Sequence, residues 1–228
     1  MKKSLLTISL FTLGLTVSVS ANAALEKGDF LIRAGAVMVA PDESSSSIKA
    51  GSADLGGNVS VDNNTQLGLN FAYMVTDHWA VELLAATPFS HDVSLGGSPA
   101  GLDSLNGGLG NIKHLPPTLS VLYYPMATSS KFQPYAGIGI NYTMFFDESI
   151  DNSAQAKGFS NLNLENSWGL AGQIGMDYFI TDNITLNAQV RYIDIDTKAT
   201  VDLSGVGALD VDVDIDPWVY MVGIGYKF

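Results

Sequence analysis

The chain has no cysteine and few charges, 15% of its residues, and beyond its first two dozen positions it has no apolar run approaching the length of a membrane-spanning helix. The first absence excludes a disulfide framework and a thiolate metal site. The last excludes helices crossing a bilayer, which need about 20 apolar residues each. Basic residues are also scarce, 11 against 23 acidic ones, for a net charge of -12. Such a chain is repelled by nucleic acid, so no nucleic-acid partner is expected. Yet mean hydropathy is positive, at +0.20, so a chain this apolar without long runs must hide its hydrophobic residues in a sheet.

The apolar run that does exist stands at the N-terminus. Lys2 and Lys3 precede Leu5 to Val19, and Ala21-Asn22-Ala23 closes the segment. A short apolar stretch with basic residues before it and an A-x-A site after it reads as a secretory leader, residues 1–23, cleaved after Ala23. Residues 24–228 are then one domain delivered across the inner membrane.

Within that domain the apolar residues alternate. In Thr65 to Met74, Leu67, Leu69, Phe71 and Tyr73 share one face while Gln66, Gly68, Asn70 and Ala72 share the other. Ser167 to Tyr178 and Trp218 to Phe228 repeat the pattern, with aromatics at the ends of the apolar face and aliphatics between them. Two aromatic girdles flanking a hydrocarbon band give that arrangement in strands that meet lipid on one face. Phe30 to Val39, Trp79 to Pro88, Thr118 to Tyr124, Tyr135 to Phe145 and Ile184 to Ile195 bring the strands to eight, an even number. The connections alternate long and short, roughly 25, 4, 29, 10, 21, 5 and 22 residues, as four external loops and three periplasmic turns would. The expected fold is therefore all-β, an eight-stranded antiparallel transmembrane β-barrel of outer-membrane type with four long extracellular loops. Tyr226 and Phe228, alternating to a terminal aromatic, fit the signal read by the outer-membrane insertion machinery, an expected partner alongside outer-membrane lipids.

The segments Asn63 to Met74, Val81 to Phe89, His114 to Leu119 (HLPPTL), Phe132 to Phe146, Ser167 to Tyr178, Tyr192 to Thr197 (YIDIDT) and Asp216 to Phe228 resemble the OmpW family of outer-membrane proteins, in the same order and over essentially the whole exported part. The resemblance implies an eight-stranded barrel with a narrow, largely hydrophobic lumen that passes small apolar molecules. It also implies, for some members, a role as a surface receptor for bacteriocins.

Eight strands enclose an interior that side chains can fill, which excludes a wide water-filled pore. Parity points Arg33, Glu82, Leu84, Leu122, Tyr124, Asn141, Gln173, Asp177, Gln189, Arg191, Met221 and Lys227 inward. Arg33, Glu82, Asp177 and Lys227 are expected to form a lumen charge network, with Arg33 and Glu82 paired, because an unpaired buried ion is costly. A plug of satisfied charges is preferred over a selectivity filter. Leu84, Leu122 and Met221 are either filler or an apolar constriction. Arg191 stands where family members can carry an aromatic, and it would make such a constriction charge-sensitive.

Catalysis is not expected: His78, His91 and His114 fall at a turn or at loop ends, with no nucleophile and orienting carboxylate beside them. No cofactor and no metal are expected either. Asp194, Asp196, Asp202, Asp210, Asp212, Asp214 and Asp216 alternate with apolar residues, which reads as strand extensions with a solvated acidic rim. Two functions remain open, a narrow channel for small hydrophobic solutes and a sealed barrel whose loops act as a receptor or adhesion surface.

Overall fold

The computed structural model describes residues 25–97 and 103–228; the expected leader, residues 1–23, lies outside the described residues. Eight strands form the barrel: β1 Phe30–Ala40, β2 Asn64–Met74, β3 Trp79–Ala86, β4 Thr118–Tyr123, β5 Phe132–Ile150, β6 Ser167–Phe179, β7 Ile184–Ile193 and β8 Trp218–Lys227. Each pairs antiparallel with its neighbours in the chain. β8 returns to β1 in a ladder from Leu31 opposite Lys227 to Ala40 opposite Trp218, which leaves the barrel without an open edge.

The two-residue period sorts side chains between two solvents. On β5, Ile138 and Ile140 are exposed on the outer wall, as are Leu170 and Ile174 on β6 and Val222 and Ile224 on β8. In a soluble protein such a belt would drive aggregation; here it is the surface that hydrocarbon covers. Aromatics bound the belt on both sides. Trp79 packs on Tyr123 at 4.9 Å and Tyr226 on Phe228 at 4.7 Å at the periplasmic rim, while Tyr142 packs on Trp168 at 4.5 Å and Tyr192 on Trp218 at 5.3 Å at the outer rim. The wall also needs one position without a side chain. Gly35 pairs with Gly68 on one side and Gly223 on the other, and a Cβ there would collide with the Val222 carbonyl.

The long connections, expected as loops apart from the strand extensions of the fourth, fold into two extracellular sheets. Strand β5 does not stop at Phe145: it leaves the wall and runs on to Ile150, pairing with Gly107–Leu115. That strand pairs in turn with Phe89–Gly96, and the latter with Asn58–Val61. The second sheet joins Phe159–Leu164, Asp196–Leu203 and Gly207–Asp214, with the short strands Ser44–Ser45, Lys49–Ala50 and Ala53–Asp54 at its edge. Alternation is the cause again. Leu209, Val211, Val213 and Ile215 are buried, whereas Asp212 and Asp214 face water, as the acidic alternation predicts.

Pro116 and Pro117 stand where the wall hands over to the first outer sheet. The β3–β4 ladder ends with Leu84 opposite Thr118, and pairing resumes only with Phe89 opposite His114. Pro88, Pro116 and Pro117 fall between these pairs, and none has an N–H to donate.

Candidate functional site

A layer of buried charge crosses the lumen. Arg33 of β1 grips Asp177 of β6 with both ends of its guanidinium, Nε to Oδ1 at 2.9 Å and Nη2 to Oδ2 at 2.7 Å. Its Nη1 donates to Glu82 of β3 at 2.8 Å and its Nη2 to the Tyr124 hydroxyl at 2.7 Å. Glu82 takes a second guanidinium through its other oxygen, Arg191 Nη2 of β7 at 2.7 Å, and also accepts from Gln173 at 3.0 Å. Arg191 Nε donates to Gln173 Oε1 at 2.6 Å, and Asn187 donates to Asp177 at 2.9 Å and to the Tyr135 hydroxyl at 3.1 Å. Two arginines thus face two carboxylates, all essentially without solvent exposure. Charges this dry persist only when paired and hydrogen-bonded, and each of the four has an opposite charge within 2.8 Å, although Arg191 Nη1 is buried without a partner.

The expected constriction of Leu84, Leu122, Met221 and Arg191 needs correction. Leu122 pairs in register with Ala80, on the periplasmic side of Glu82, and belongs to an apolar cluster with Leu25, Leu31, Met74, Tyr124 and Phe179. Met221 lies beyond the charge layer on the outer side, opposite Val37, in a different apolar cluster. Leu84 is buried two residues outward from Glu82, level in register with Asn70 and Thr118, and is in neither cluster. Arg191 is engaged by Glu82 and Gln173 within the charge layer. Strand parity says which side chains point inward, but the tilt and stagger of barrel strands set their heights, and these residues stand at different heights. Lys227, grouped with the charge layer on parity, lies at the periplasmic mouth, 3.6 Å from Asp29 and over the Phe179 ring. Tyr226 and Phe228 sit in the lower aromatic girdle, and the Phe228 N–H donates to the Phe30 carbonyl at 2.9 Å, fastening the closing strand pair.

Above the charge layer the lumen carries a buried polar group, Asn70, Thr118, Asn141 and Thr143, and beside and beyond it an apolar interior that continues out of the membrane. Val37, Val39, Ile193, Val219 and Met221 from the barrel join one continuous cluster with Val93, Leu109, Ile112, Val201, Val211 and Ile215 from the two outer sheets. The sheets face each other across a chamber of about 40 Å³ walled by aliphatic side chains, among them Ile48, Val59, Leu95, Ile112, Leu162 and Val213. A smaller space of about 10 Å³ adjoins it and shares Val61, Ile112 and Ile215 as walls. The serine- and glycine-rich connections hide this chamber behind a loop-like composition. The alternation Phe89, His91, Val93, Leu95, all buried, could have revealed it.

The structure also joins two residues that sequence placed only at loop ends. His91 and His114 lie in strands of the first outer sheet, and their Nε2 atoms are 2.9 Å apart. Phe89 and Phe145 pack against His114 at 5.4 and 5.8 Å. Burial lowers both imidazoles, with the nearby Asp62 and Asp92 partly opposing this for His91; His114, pressed also by His91, is brought down to about 3. A histidine held below its unfolded value of about 6.5 takes up a proton on unfolding, so stability is whole above that pH and is lost as pH falls toward the folded value. Amide exchange in Phe89–Gly96 and Gly107–Leu115 is expected to accelerate from about pH 6.5 down to about pH 3, after correction for intrinsic rates, while exchange in β6 and β7 stays slow. Equal acceleration in both regions would contradict this assignment.

The acidic rim gathers Asp194, Asp196 and Asp216, with carboxylate oxygens within 4.8 Å of one another and two of the three residues exposed. Partial burial, then the neighbouring Asp194, Asp214 and Asp216, raise Asp196. Among the described residues it is a solvated acidic cluster at the mouth of the fourth connection.

A closed antiparallel barrel of eight strands, with a lipid-facing belt, two aromatic girdles and paired charges buried across its lumen, defines an outer-membrane β-barrel protein. Residues 26–228 match the OmpW family, and the chain belongs to it. Outer membrane protein W of Vibrio cholerae is 47% identical over 203 residues, covering 89% of this chain and 90% of that one. The crystal structure of the outer membrane protein OprG from Pseudomonas aeruginosa superposes with a TM-score of 0.86 at 51% identity, covering 91% of this chain and 99% of that chain. A more distant relative, 28% identical over 203 residues and covering 89% of this chain and 90% of that one, is the dibenzothiophene metabolism operon protein PahQ of Pseudomonas aeruginosa. The protein is one of the outer membrane.

Proposed function

We propose that the protein admits small hydrophobic molecules from outside the cell, holding them in the chamber between its outer sheets and releasing them sideways into the membrane. The carrying observation is a dry aliphatic chamber continuous with the upper lumen and closed from below by paired charge. Apolar solutes gain by leaving water for such walls, whereas ions and sugars lose their hydration there. An axial path to the periplasm would have to cross the charge layer and then the apolar cluster around Leu122. A sideways path meets neither, and the wall ladder lapses at Pro88, Pro116 and Pro117, level with the base of the outer sheets. The chamber of about 40 Å³ is smaller than the roughly 150 Å³ known to take benzene, so loading requires the sheets to part. The name of the PahQ relative, tied to the metabolism of an aromatic sulfur heterocycle, agrees with an apolar solute.

Uptake of a naphthalene-class fluorophore into vesicles whose outer leaflet carries lipopolysaccharide tests this reading. The protein is expected to raise the rate several-fold over empty vesicles, and no gain would sink the proposal. The sealed lumen also suits the second reading, a surface module whose outer sheets receive a bacteriocin. Exchanging those sheets while keeping the barrel separates the two, since a pure receptor would lose binding and never show uptake.

A further inference from the structure

Beside the smaller apolar space stands a buried polar atom that the uptake reading leaves unexplained, Nδ1 of His114. His91 Nδ1 lies 2.6 Å from the main-chain carbonyl of Asp62, and a carbonyl oxygen can only accept, so neutral His91 carries its proton on Nδ1. Its Nε2 is then a lone pair. The proton between the two rings therefore belongs to Nε2 of His114, 2.9 Å away, with the rings 23° from parallel planes. A neutral His114 protonated on Nε2 has a bare lone pair on Nδ1, and that atom is buried without a protein partner. The Asp62 carboxylate, 3.8 Å from His91 Nδ1, stands on the other side of His91 and is an acceptor as well.

A buried acceptor left dry is unfavourable, and a donor that reaches it recovers the loss. The His114 ring lines the small space of about 10 Å³ whose walls Val61, Ile112 and Ile215 are also walls of the larger chamber. The hydroxyl among that lining, on Thr143, is committed as a donor to Asn141 at 2.7 Å. The rest is hydrocarbon, proline ring and aromatic carbon.

We infer that the solutes favoured by this chamber are apolar molecules bearing a single hydrogen-bond donor, such as alkanols or phenols, whose hydroxyl donates to His114 Nδ1. Their hydrocarbon portion lies against Val61, Ile112 and Ile215. The inference rests on the chamber being the solute site, and it adds the recognising atom and the solute class. A pure hydrocarbon fills the same walls but leaves the acceptor dry, so it is held less firmly.

Binding of phenol and toluene to the full chain in nanodiscs separates the two claims. His114→Gln keeps a donor toward His91 and removes the acceptor at the Nδ1 position; His114→Phe removes both. Phenol affinity is expected to fall about fivefold in each variant, the worth of one neutral hydrogen bond, with toluene changing by less than about twofold. Parallel changes for both solutes, or none for phenol, would mean that the acceptor holds only water, and would overturn the inference. Binding of neither solute to the wild-type protein would overturn the chamber reading itself. Should the variants not fold, as judged by electrophoretic mobility without heating, the wild-type protein still decides: the ¹⁵N resonance of His114 Nδ1 is expected to move with phenol and not with toluene. Equal movement with both counts against the inference.

Discussion

Glu82→Ala is expected to destabilise the barrel by about 3–5 kcal/mol, the largest single loss foreseen for any lumen side chain. Glu82 is the bridge between two guanidiniums, accepting from Arg33 at 2.8 Å and from Arg191 at 2.7 Å, with no solvent at any of the three. Its removal leaves Arg191 with Gln173, and Arg33 with Asp177 and the Tyr124 hydroxyl, so the layer carries an unbalanced positive charge far from water. The Lys113–Asp147 pair provides the contrast. At 3.1 Å it is also close, but both side chains are well exposed, and Lys113→Ala is expected to cost under about 1 kcal/mol. Urea unfolding in lipid bilayers, followed by tryptophan fluorescence, gives both numbers. Similar losses for the two variants would show that the lumen charges are wetter than their burial implies.

Ile112→Asp is expected to abolish binding of apolar solutes, weakening it by more than about tenfold, while the barrel remains folded. Ile112 is buried in the wall shared by both spaces of the chamber. A carboxylate there either draws water into the chamber or prises the sheets apart, and each outcome removes the dry surface that a solute gains by touching. The eight-stranded ladder does not include this residue, so mobility without heating should stay that of the folded form. Leu122→Ala, on the far side of the charge layer, should leave binding within about twofold of wild type, since Leu122 packs in a separate cluster. Equal losses for Ile112→Asp and Leu122→Ala would place the solute deeper in the lumen than proposed.

The barrel was legible because lipid and lumen impose opposite demands on neighbouring residues, and a period of two survives any uncertainty in register. The same alternation identified the inward faces of Arg33, Glu82 and Asp177, and a dry charge needs a counterion wherever it stands. Height was not legible. Leu122 and Met221 both point inward, yet the stagger of the strands places them on opposite sides of the charge layer. Nor was the His91–His114 contact, which requires pairing Phe89–Gly96 with Gly107–Leu115 across a connection that sequence alone leaves unregistered. Glycine and serine made those segments look like loops. Only the buried alternation of Val93 and Leu95, like that of Val211 and Val213, marked them as sheet.

The composition of the charge layer has an electrical consequence. Two guanidiniums against two carboxylates sum to zero, so the stopper as a whole experiences no net force from a Donnan potential across the outer membrane. A change in external salinity alters that potential without pulling the stopper toward either side. The layer can therefore keep its place whichever side of the membrane is the more negative.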